Sequence, residues 1–266
     1  MTPSSESVPV FDVREFARTA RGSHRAELDL SAINAAGVDA DTARLIRTLR
    51  DLERLTMERM RNLLVTATHK DARVTAFLTT WAFEKFWVAD ALDAVLEASG
   101  HDVTSPEGAP RKSWAERAER RGSIARAIAG NIAGPELVAA HVTTGLIDEW
   151  VTTAAYRRLG ELAATVRPVA DMIIDLKARH IEFLAQDTNR RLTESARARR
   201  LALKEVKRSA WPLGAIDRSA DDRTFFETTV FGGSEGAARV AEIAELIAAL
   251  PGLSPVAPTV AARLTP

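Results

Sequence analysis

The sequence predicts an all-α protein built around a four-helix bundle with one long crossover connection. Four long segments between residues 41 and 208 carry apolar residues at helical spacing, with few of the alternating stretches that indicate strands. The connections between these segments are short, long and short, which is the pattern that a single long crossover requires. We therefore expect a bundle over residues 41–208, an N-terminal arm over residues 1–40 and a C-terminal helical extension over residues 209–266.

The first two predicted helices form a hairpin. The first runs over residues 41–68 with Asp41 as its N-cap, and the second runs over residues 71–99. Gly100 follows directly and is the residue type preferred where a helix ends. Because the link between the two helices is tight, they should be antiparallel neighbours.

The second pair of predicted helices comes after a connection that is too long for a simple hairpin. One or two short helices are expected within this connection, over residues 114–132. The third helix should cover residues 135–165, beginning with a proline that suits a first turn. The fourth should cover residues 168–208 as one continuous helix.

The flanking segments carry weaker patterns. Residues 1–40 are expected to form an irregular arm, and residues 235–250 form one short helix that ends at a Pro-Gly pair. The last dozen residues are expected to be a loose tail.

The composition excludes several classes of function. The 36 Lys and Arg residues balance 36 Asp and Glu residues, so no overall charge favours nucleic acid. The basic stretch over residues 189–208 lacks aromatic residues for base stacking, and we interpret it as a solvated helix or dimer surface. The absence of cysteine excludes disulfides, iron–sulfur clusters and thiolate zinc sites. Without a secretory signal or a membrane-spanning segment, the chain is expected to be cytoplasmic, and we expect it to form a homodimer.

Each predicted helix places an ionisable residue in the middle of its inward-facing stripe. These residues are Glu53 on the first helix, either Glu84 or Lys85 on the second, Glu149 on the third, and Lys177 and His180 on the fourth. Because burial of an unpaired charge is costly, we expect these groups to pair with one another or to hold a cation. The alternative is that some stripes are drawn wrongly and these residues face water.

Three segments together resemble a known family. The segment DLKARH over residues 175–180 is similar to the Glu-x-Arg-His segment of the last ligand helix in carboxylate-bridged dimetal oxidases and desaturases. Glu149 is followed by Thr152, as the third-helix ligand is in desaturases, and Glu53 fits the lone Glu of the first helix. These proteins belong to the ferritin-like superfamily, so the resemblance implies a ferritin-like fold and an oxidoreductase-like ancestry.

The sequence departs from the family pattern where the bridging ligands belong. Lys177 stands where the Glu of Glu-x-x-His is expected, although His180 remains. On the second helix, Trp87 and Val88 stand three residues after Glu84 and Lys85, where the family has His. A lysine ammonium group cannot coordinate a metal ion and repels one.

We therefore expect a Glu53–Lys177–Glu149 ion cluster in place of the metals, and no cofactor. The alternative is a single iron or manganese ion held by Glu53, Glu149 and His180, with Glu84 as a further candidate ligand. That alternative requires Lys177 to point away from the carboxylates.

The second helix is rich in aromatic residues. Trp81, Phe83, Phe86 and Trp87 are expected to cluster beside the site, where they pack the core or line an apolar ligand channel.

Three functions are open from the sequence. In the leading hypothesis, a descendant of dimetal oxygenases acts on or binds a small apolar or acyl-type molecule, with Lys177, His180, Glu149 and Glu53 as catalytic groups. Its expected pocket residues are Trp81, Lys85, Trp87, Val88, Thr152 and Tyr156. The alternatives are a non-catalytic binding or assembly scaffold, and an oxidase with an unusual one- or two-metal site. A cavity that reaches the charged residues would favour an enzyme, and a sealed interior would favour the scaffold.

Overall fold

The computed structural model describes residues 10–103, 134–209 and 220–266, which contain helices and no β-strand. The α-helices in these ranges are α1 (Val13–Arg18), α2 (Leu30–Ala36), α3 (Ala40–Leu64), α4 (Ala72–Ala98), α5 (Leu137–Leu162), α6 (Arg167–Glu194), α7 (Ala196–Arg208), α8 (Ala220–Phe231), α9 (Gly233–Ala249) and α10 (Ala257–Leu264). None of these helices combines the length and the hydrophobicity that crossing a membrane requires. The predicted all-α class is confirmed for the described residues.

Capping residues set the ends of α3 and α4. Asp39 and Asp71 each accept a hydrogen bond from a backbone N–H of the following first turn, at 2.8 and 3.0 Å. The predicted cap of the first helix, Asp41, lies two residues too late and belongs to the first turn of α3. Gly100 follows α4 with a φ of +77°, the left-handed conformation that glycine adopts without steric cost.

The four long helices α3, α4, α5 and α6 surround a common interior, and neighbouring helices run in opposite directions. The contacts that set these directions are Arg50–Asp93 and Glu53–Lys85 between α3 and α4, Arg59–Asp148 and Glu53–Tyr156 between α3 and α5, Gly160–Ala170 and Glu149–Lys177 between α5 and α6, and Arg73–Asp187 and Glu84–His180 between α4 and α6. Since α4 and α5 are both antiparallel to α3, they are parallel to each other.

The parallel pair determines where the connection between α4 and α5 begins and ends. His101, just after α4, has its Nε2 atom 3.0 Å from the carbonyl oxygen of Val38, at the start of α3. His141, near the start of α5, has its Nδ1 atom 2.8 Å from Thr68 Oγ1, just after the end of α3. The connection therefore joins opposite ends of the four helices. The helix predicted over residues 114–132 lies outside the described residues.

The prediction of one continuous fourth helix is wrong, because α6 and α7 are separate. Ser195 has an extended backbone, with φ −135° and ψ 118°, and its hydroxyl accepts a hydrogen bond from the Ala198 N–H at 3.2 Å. A serine side chain that bonds to nearby backbone favours a cap over a helix interior. The break turns α7 against α5.

The described part of the N-terminal arm, residues 10–36, contains regular structure and is not an irregular segment throughout. Its helices α1 and α2 begin at the caps Asp12 and Asp29, and both pack against α4. Phe16 and Ile33 are buried in the main hydrophobic core. The arm is therefore part of the folded core.

The C-terminal extension contains three α-helices in its described part, where one was predicted. The predicted helix corresponds to α9, whereas α8 and α10 were not predicted. Ala257, Val260 and Leu264 are buried on one face of α10, as their spacing of three and four residues requires. The prediction of a loose tail is therefore wrong.

Candidate functional site

Four charged side chains, one from each long helix, meet in the interior. Lys85 Nζ lies 2.6 Å from Glu53 Oε2 and 3.0 Å from Glu149 Oε1. Lys177 Nζ lies 3.3 Å from Glu53 Oε1 and 2.5 Å from Glu149 Oε2. Each carboxylate thus contacts both ammonium groups, and the four charges cancel. The predicted Glu53–Lys177–Glu149 cluster is confirmed, with Lys85 as a fourth member, and the four residues are named the ion tetrad below.

The ion tetrad is closed off from solvent. The side chains of Glu53, Glu149 and Lys177 are each 1% exposed, and that of Lys85 is 7% exposed. Burial raises the pKa of Glu53 and Glu149, but the Lys177 and Lys85 ammonium groups outweigh burial and hold both pKa values below their ordinary range. Burial lowers the pKa of Lys85, but the two carboxylates outweigh it and raise that pKa well above its ordinary value. Lys85 therefore remains an ammonium group, which has no lone pair for nucleophilic attack.

Two aromatic side chains donate hydrogen bonds to the carboxylates of the ion tetrad. The Tyr156 hydroxyl donates to Glu53 Oε1 at 3.0 Å, and the Trp81 indole N–H donates to Glu149 Oε1 at 2.7 Å. Burial and the Glu53 carboxylate raise the pKa of Tyr156 well above its ordinary value, which keeps the hydroxyl protonated. Each bond thus adds a second donor to a carboxylate oxygen that a lysine also contacts.

The same two rings also lie near the ammonium groups. Lys177 Nζ is 5.6 Å from the centroid of the Tyr156 ring, and Lys85 Nζ is 5.1 Å from that of Trp81. Both distances are within the range of cation–π attraction. Trp81 and Tyr156, predicted to line a pocket, therefore enclose the ion tetrad.

A second polar pair lies beside the ion tetrad. His180 Nε2 lies 2.8 Å from Glu84 Oε2, and both side chains are fully buried. Glu84 Oε1 accepts a hydrogen bond from the Arg21 backbone N–H at 2.9 Å and lies 3.6 Å from the Arg179 guanidinium group. His180 Nδ1 is 3.9 Å from Glu149 Oε1 and has no hydrogen-bond partner among the described residues. One nitrogen of His180 is thus anchored by Glu84, while the other lies near the ion tetrad.

The N-terminal arm covers this pair, a role that the sequence analysis missed. The Phe16 ring lies edge-on to His180 with 6.0 Å between ring centroids, next to Phe77 and Phe183, which stack at 3.9 Å. Arg179 donates to the Phe16 carbonyl oxygen at 3.3 Å, which ties the arm to α6. The signal in the sequence was a phenylalanine at position 16 among mostly polar neighbours.

The predicted aromatic cluster does not form beside the site. Phe83 and Phe86 are 41% and 50% exposed, and Trp87 packs against them on the outer side of α4. Of the four aromatic residues, Trp81 is the one with a described contact to the ion tetrad. At about 100° per residue, Phe83 and Phe86 point about 200° and 140° away from Trp81 around the helix.

The remaining predicted pocket residues, Val88 and Thr152, are buried in the interior. Val88 is buried in the core. Thr152 is also buried, and its hydroxyl donates to the Asp148 carbonyl oxygen of its own helix at 2.7 Å. Glu84 and Lys85 are both buried, because α4 is covered by α3 on one side and by α6 and the arm on the other. Both residues that the sequence offered for the inward stripe of this helix therefore lie in the interior.

The ion tetrad does not fit a dimetal centre. Two ammonium groups stand between the carboxylates, and they supply no lone pair and repel cations. The single-metal alternative required Lys177 to point away, but its Nζ contacts both Glu53 and Glu149. In the ranges that the structure describes, no three His, Asp or Glu side chains are grouped so that they could hold a metal ion. Iron or manganese at Glu53, Glu149 and His180 stays a prediction.

Comparison with known proteins gave no matching protein-family model, no matching curated protein and no matching solved structure. The functional interpretation therefore rests on the geometry of the ion tetrad and of the Glu84–His180 pair.

Proposed function

We propose that this chain is a ferritin-like bundle descended from dimetal oxygenases and desaturases, in which the ion tetrad replaces the metals. We further propose that it acts as a non-catalytic binding or assembly protein. The observation that carries the proposal is that each carboxylate contacts both ammonium groups in an interior closed to solvent. A neutral, hydrogen-bonded network of this kind can hold four helices in register without a metal ion.

The positions of the charged residues support the proposed ancestry. Glu53 and Glu149 lie on α3 and α5, where dimetal bundles carry single glutamates, and Lys85 and Lys177 lie on the other two helices. His180 follows Lys177 by three residues, which preserves the spacing of Glu-x-x-His. The parallel arrangement of α4 and α5 is also the one that a bundle with a single long crossover requires.

The surroundings of His180 favour the scaffold over an enzyme. A small apolar or acyl-type ligand would have to approach this residue through the aromatic groups that cover it. Phe16 of the arm and Phe77 and Phe183 of the long helices already pack there. Close packing of this kind leaves a ligand no direct route while the arm is in place.

Metal content tests the proposal. Wild-type protein expressed with added iron and manganese should carry no stoichiometric metal by plasma mass spectrometry. Lys85→Glu combined with Lys177→Glu should gain metal, because it replaces both ammonium groups by potential ligands. The matched control, Lys85→Met with Lys177→Met, removes the same charges without adding ligands and should not gain metal. Two metal ions per wild-type chain would show that the lysines move aside and would support the oxidase alternative. One metal ion per chain would support the single-metal site.

A metal-free acid/base site is the second candidate function, and the free Nδ1 of His180 favours it. This nitrogen is unpaired among the described residues, while Glu84 fixes the other ring nitrogen. A panel of acyl esters and thioesters should show no turnover if the scaffold is correct. Turnover by the wild type that His180→Gln loses would favour the acid/base site.

A further inference from the structure

The middle of the arm, residues 20–28, is held against α4 by polar contacts. The Arg25 guanidinium group binds both oxygens of Asp90, at 2.9 and 3.1 Å, and Glu97 at 3.1 Å. The Arg21 backbone N–H binds Glu84 at 2.9 Å, directly beside His180. This segment therefore closes the approach to the Glu84–His180 pair from one side.

His24 lies in the middle of this segment and is completely buried. Neither of its ring nitrogens has a hydrogen-bond partner among the described residues. The nearest acidic atom is Glu27 Oε1, 3.8 Å from Nδ1, and Glu27 is already bound to Arg21 at 2.5 Å. Buried polar groups without partners weaken the packing that buries them.

A second unpaired group lies beneath the same segment. The Trp87 indole nitrogen is buried and has no partner among the described residues. It lies under Gly22, where an added Cβ would come within 4.0 Å of the indole nitrogen. Residues 20–28 are thus held to α4 by ion pairs at the surface, whereas the buried nitrogens of His24 and Trp87 on the inner side are unpaired among the described residues.

We infer that residues 20–28 of the N-terminal arm form a pH-released cover. At neutral pH, these residues close over the Glu84–His180 pair, and protonation of His24 releases them from α4. This inference goes beyond the proposed function and does not depend on whether the ion tetrad replaces metals.

The charged groups around His24 do not stabilise its protonated form. Burial and then the Arg21 guanidinium group lower the pKa of His24, and they outweigh the carboxylates of Glu27 and Glu84, which raise it. The Glu84 carboxylate is shared with His180, with the Arg21 backbone and with Arg179 of α6. Asp90, the neighbouring acid on α4, is bound by Arg25.

The direction of the pH effect follows from this lowered pKa. Docking needs neutral His24, so the docked arm binds fewer protons than the released arm. Docking is therefore complete above about pH 6.5, the pKa of a free histidine, and weakens as the pH falls below that value.

The part of the arm before this segment has independent anchors and should stay bound. Phe16 is buried in the core, and Arg179 and Arg73 donate to the carbonyl oxygens of Phe16 and Phe11, at 3.3 and 3.2 Å. Arg179 also donates to the carbonyl and hydroxyl oxygens of Thr19, at 3.3 and 2.9 Å. Release is therefore expected to begin after Thr19.

Hydrogen–deuterium exchange of the full chain at pH 7.5 and pH 5.0 tests the inference. After correction for intrinsic exchange, residues 20–28 should lose about tenfold in protection at pH 5.0. The centre of α5 should keep its protection. His24→Leu replaces the titrating imidazole by an apolar side chain, so residues 20–28 of this variant should be equally protected at both pH values.

His69→Leu is the matched control, because His69 is exposed in the turn Ala67–Lys70 and should leave the pH response unchanged. Equal protection of wild-type residues 20–28 at both pH values would overturn the inference, and so would a response of His24→Leu like that of the wild type. Should His24→Leu fail to fold, His24→Gln serves in its place and is expected to give the same result.

Discussion

Replacement of Glu149 by Gln should destabilise the fold by about 3–5 kcal/mol, because it leaves two buried ammonium groups facing one carboxylate. Glu149 lies 2.5 Å from Lys177 Nζ and 3.0 Å from Lys85 Nζ. At an effective dielectric constant of about 20, one such pair at 3 Å attracts by about 5.5 kcal/mol. The variant loses this attraction, but the cost of burying the two lysines remains.

A double-mutant cycle isolates the interaction within the ion tetrad. Glu149→Gln and Lys177→Met each leave an unbalanced charge, whereas the double variant leaves Glu53 with Lys85 and restores neutrality. The double variant should therefore be more stable than the sum of the single effects by about 1–3 kcal/mol. Urea unfolding followed by far-ultraviolet circular dichroism measures each free energy of unfolding.

An exposed ion pair provides the matched control for this cycle. Glu242 lies 3.1 Å from Arg157, and both side chains are about half exposed. Glu242→Gln should change the free energy of unfolding by no more than about 1 kcal/mol. The reasoning is refuted if Glu149→Gln costs as little as this control, or if the two tetrad substitutions add without coupling.

The remaining predictions concern hydrogen bonding, packing and pH. Tyr156→Phe should cost about 1.5–3 kcal/mol in urea unfolding, because it removes a hydrogen bond to the Glu53 carboxylate, and no loss would mean that water replaces the hydroxyl. Phe77→Ala should cost about 3–5 kcal/mol and Phe86→Ala only about 0.5 kcal/mol in the same assay, because only Phe77 is buried, and equal costs would contradict the assignment of inner and outer faces to α4. Partial burial lowers the pKa of His141 to about 4, so wild-type stability should fall by about 2 kcal/mol between pH 7 and pH 5 relative to His141→Gln, and parallel pH curves would contradict an imidazole that stays neutral in the folded protein.

The positions of the long helices could be predicted from local signals. Asp71 and Gly100 mark the ends of α4 in both the sequence and the structure, because caps act within a few residues of the helix. The break at Ser195 was missed, since a serine within a helical pattern marks a cap only when the chain turns there. The helix α10 was missed because its apolar face consists of only three buried residues.

The centre of the site was predicted because charged residues stood at matching depth on inward stripes. The sequence could not decide whether Glu84 or Lys85 faces the interior. The helix α4 is apolar on most of its circumference, and helical periodicity does not distinguish between adjacent residues there. The contact between Phe16 and His180 joins residues far apart in the chain, and local sequence patterns carry no information about such a contact. The exposure of Phe83 and Phe86 was missed because their hydrophobic character suggested burial, whereas their positions on the helix point outward.

The most direct test of the central claim is nitrogen-15 NMR of the lysine side chains during addition of manganese(II). Assignments would come from Lys85→Met and Lys177→Met. If the ammonium groups replace the metals, both signals should be those of slowly exchanging ammonium groups, because the ion tetrad is closed to solvent. Stoichiometric manganese(II) should leave them unbroadened. Selective loss of both signals at one or two equivalents of manganese would show that metal enters between Glu53 and Glu149, and would contradict the account.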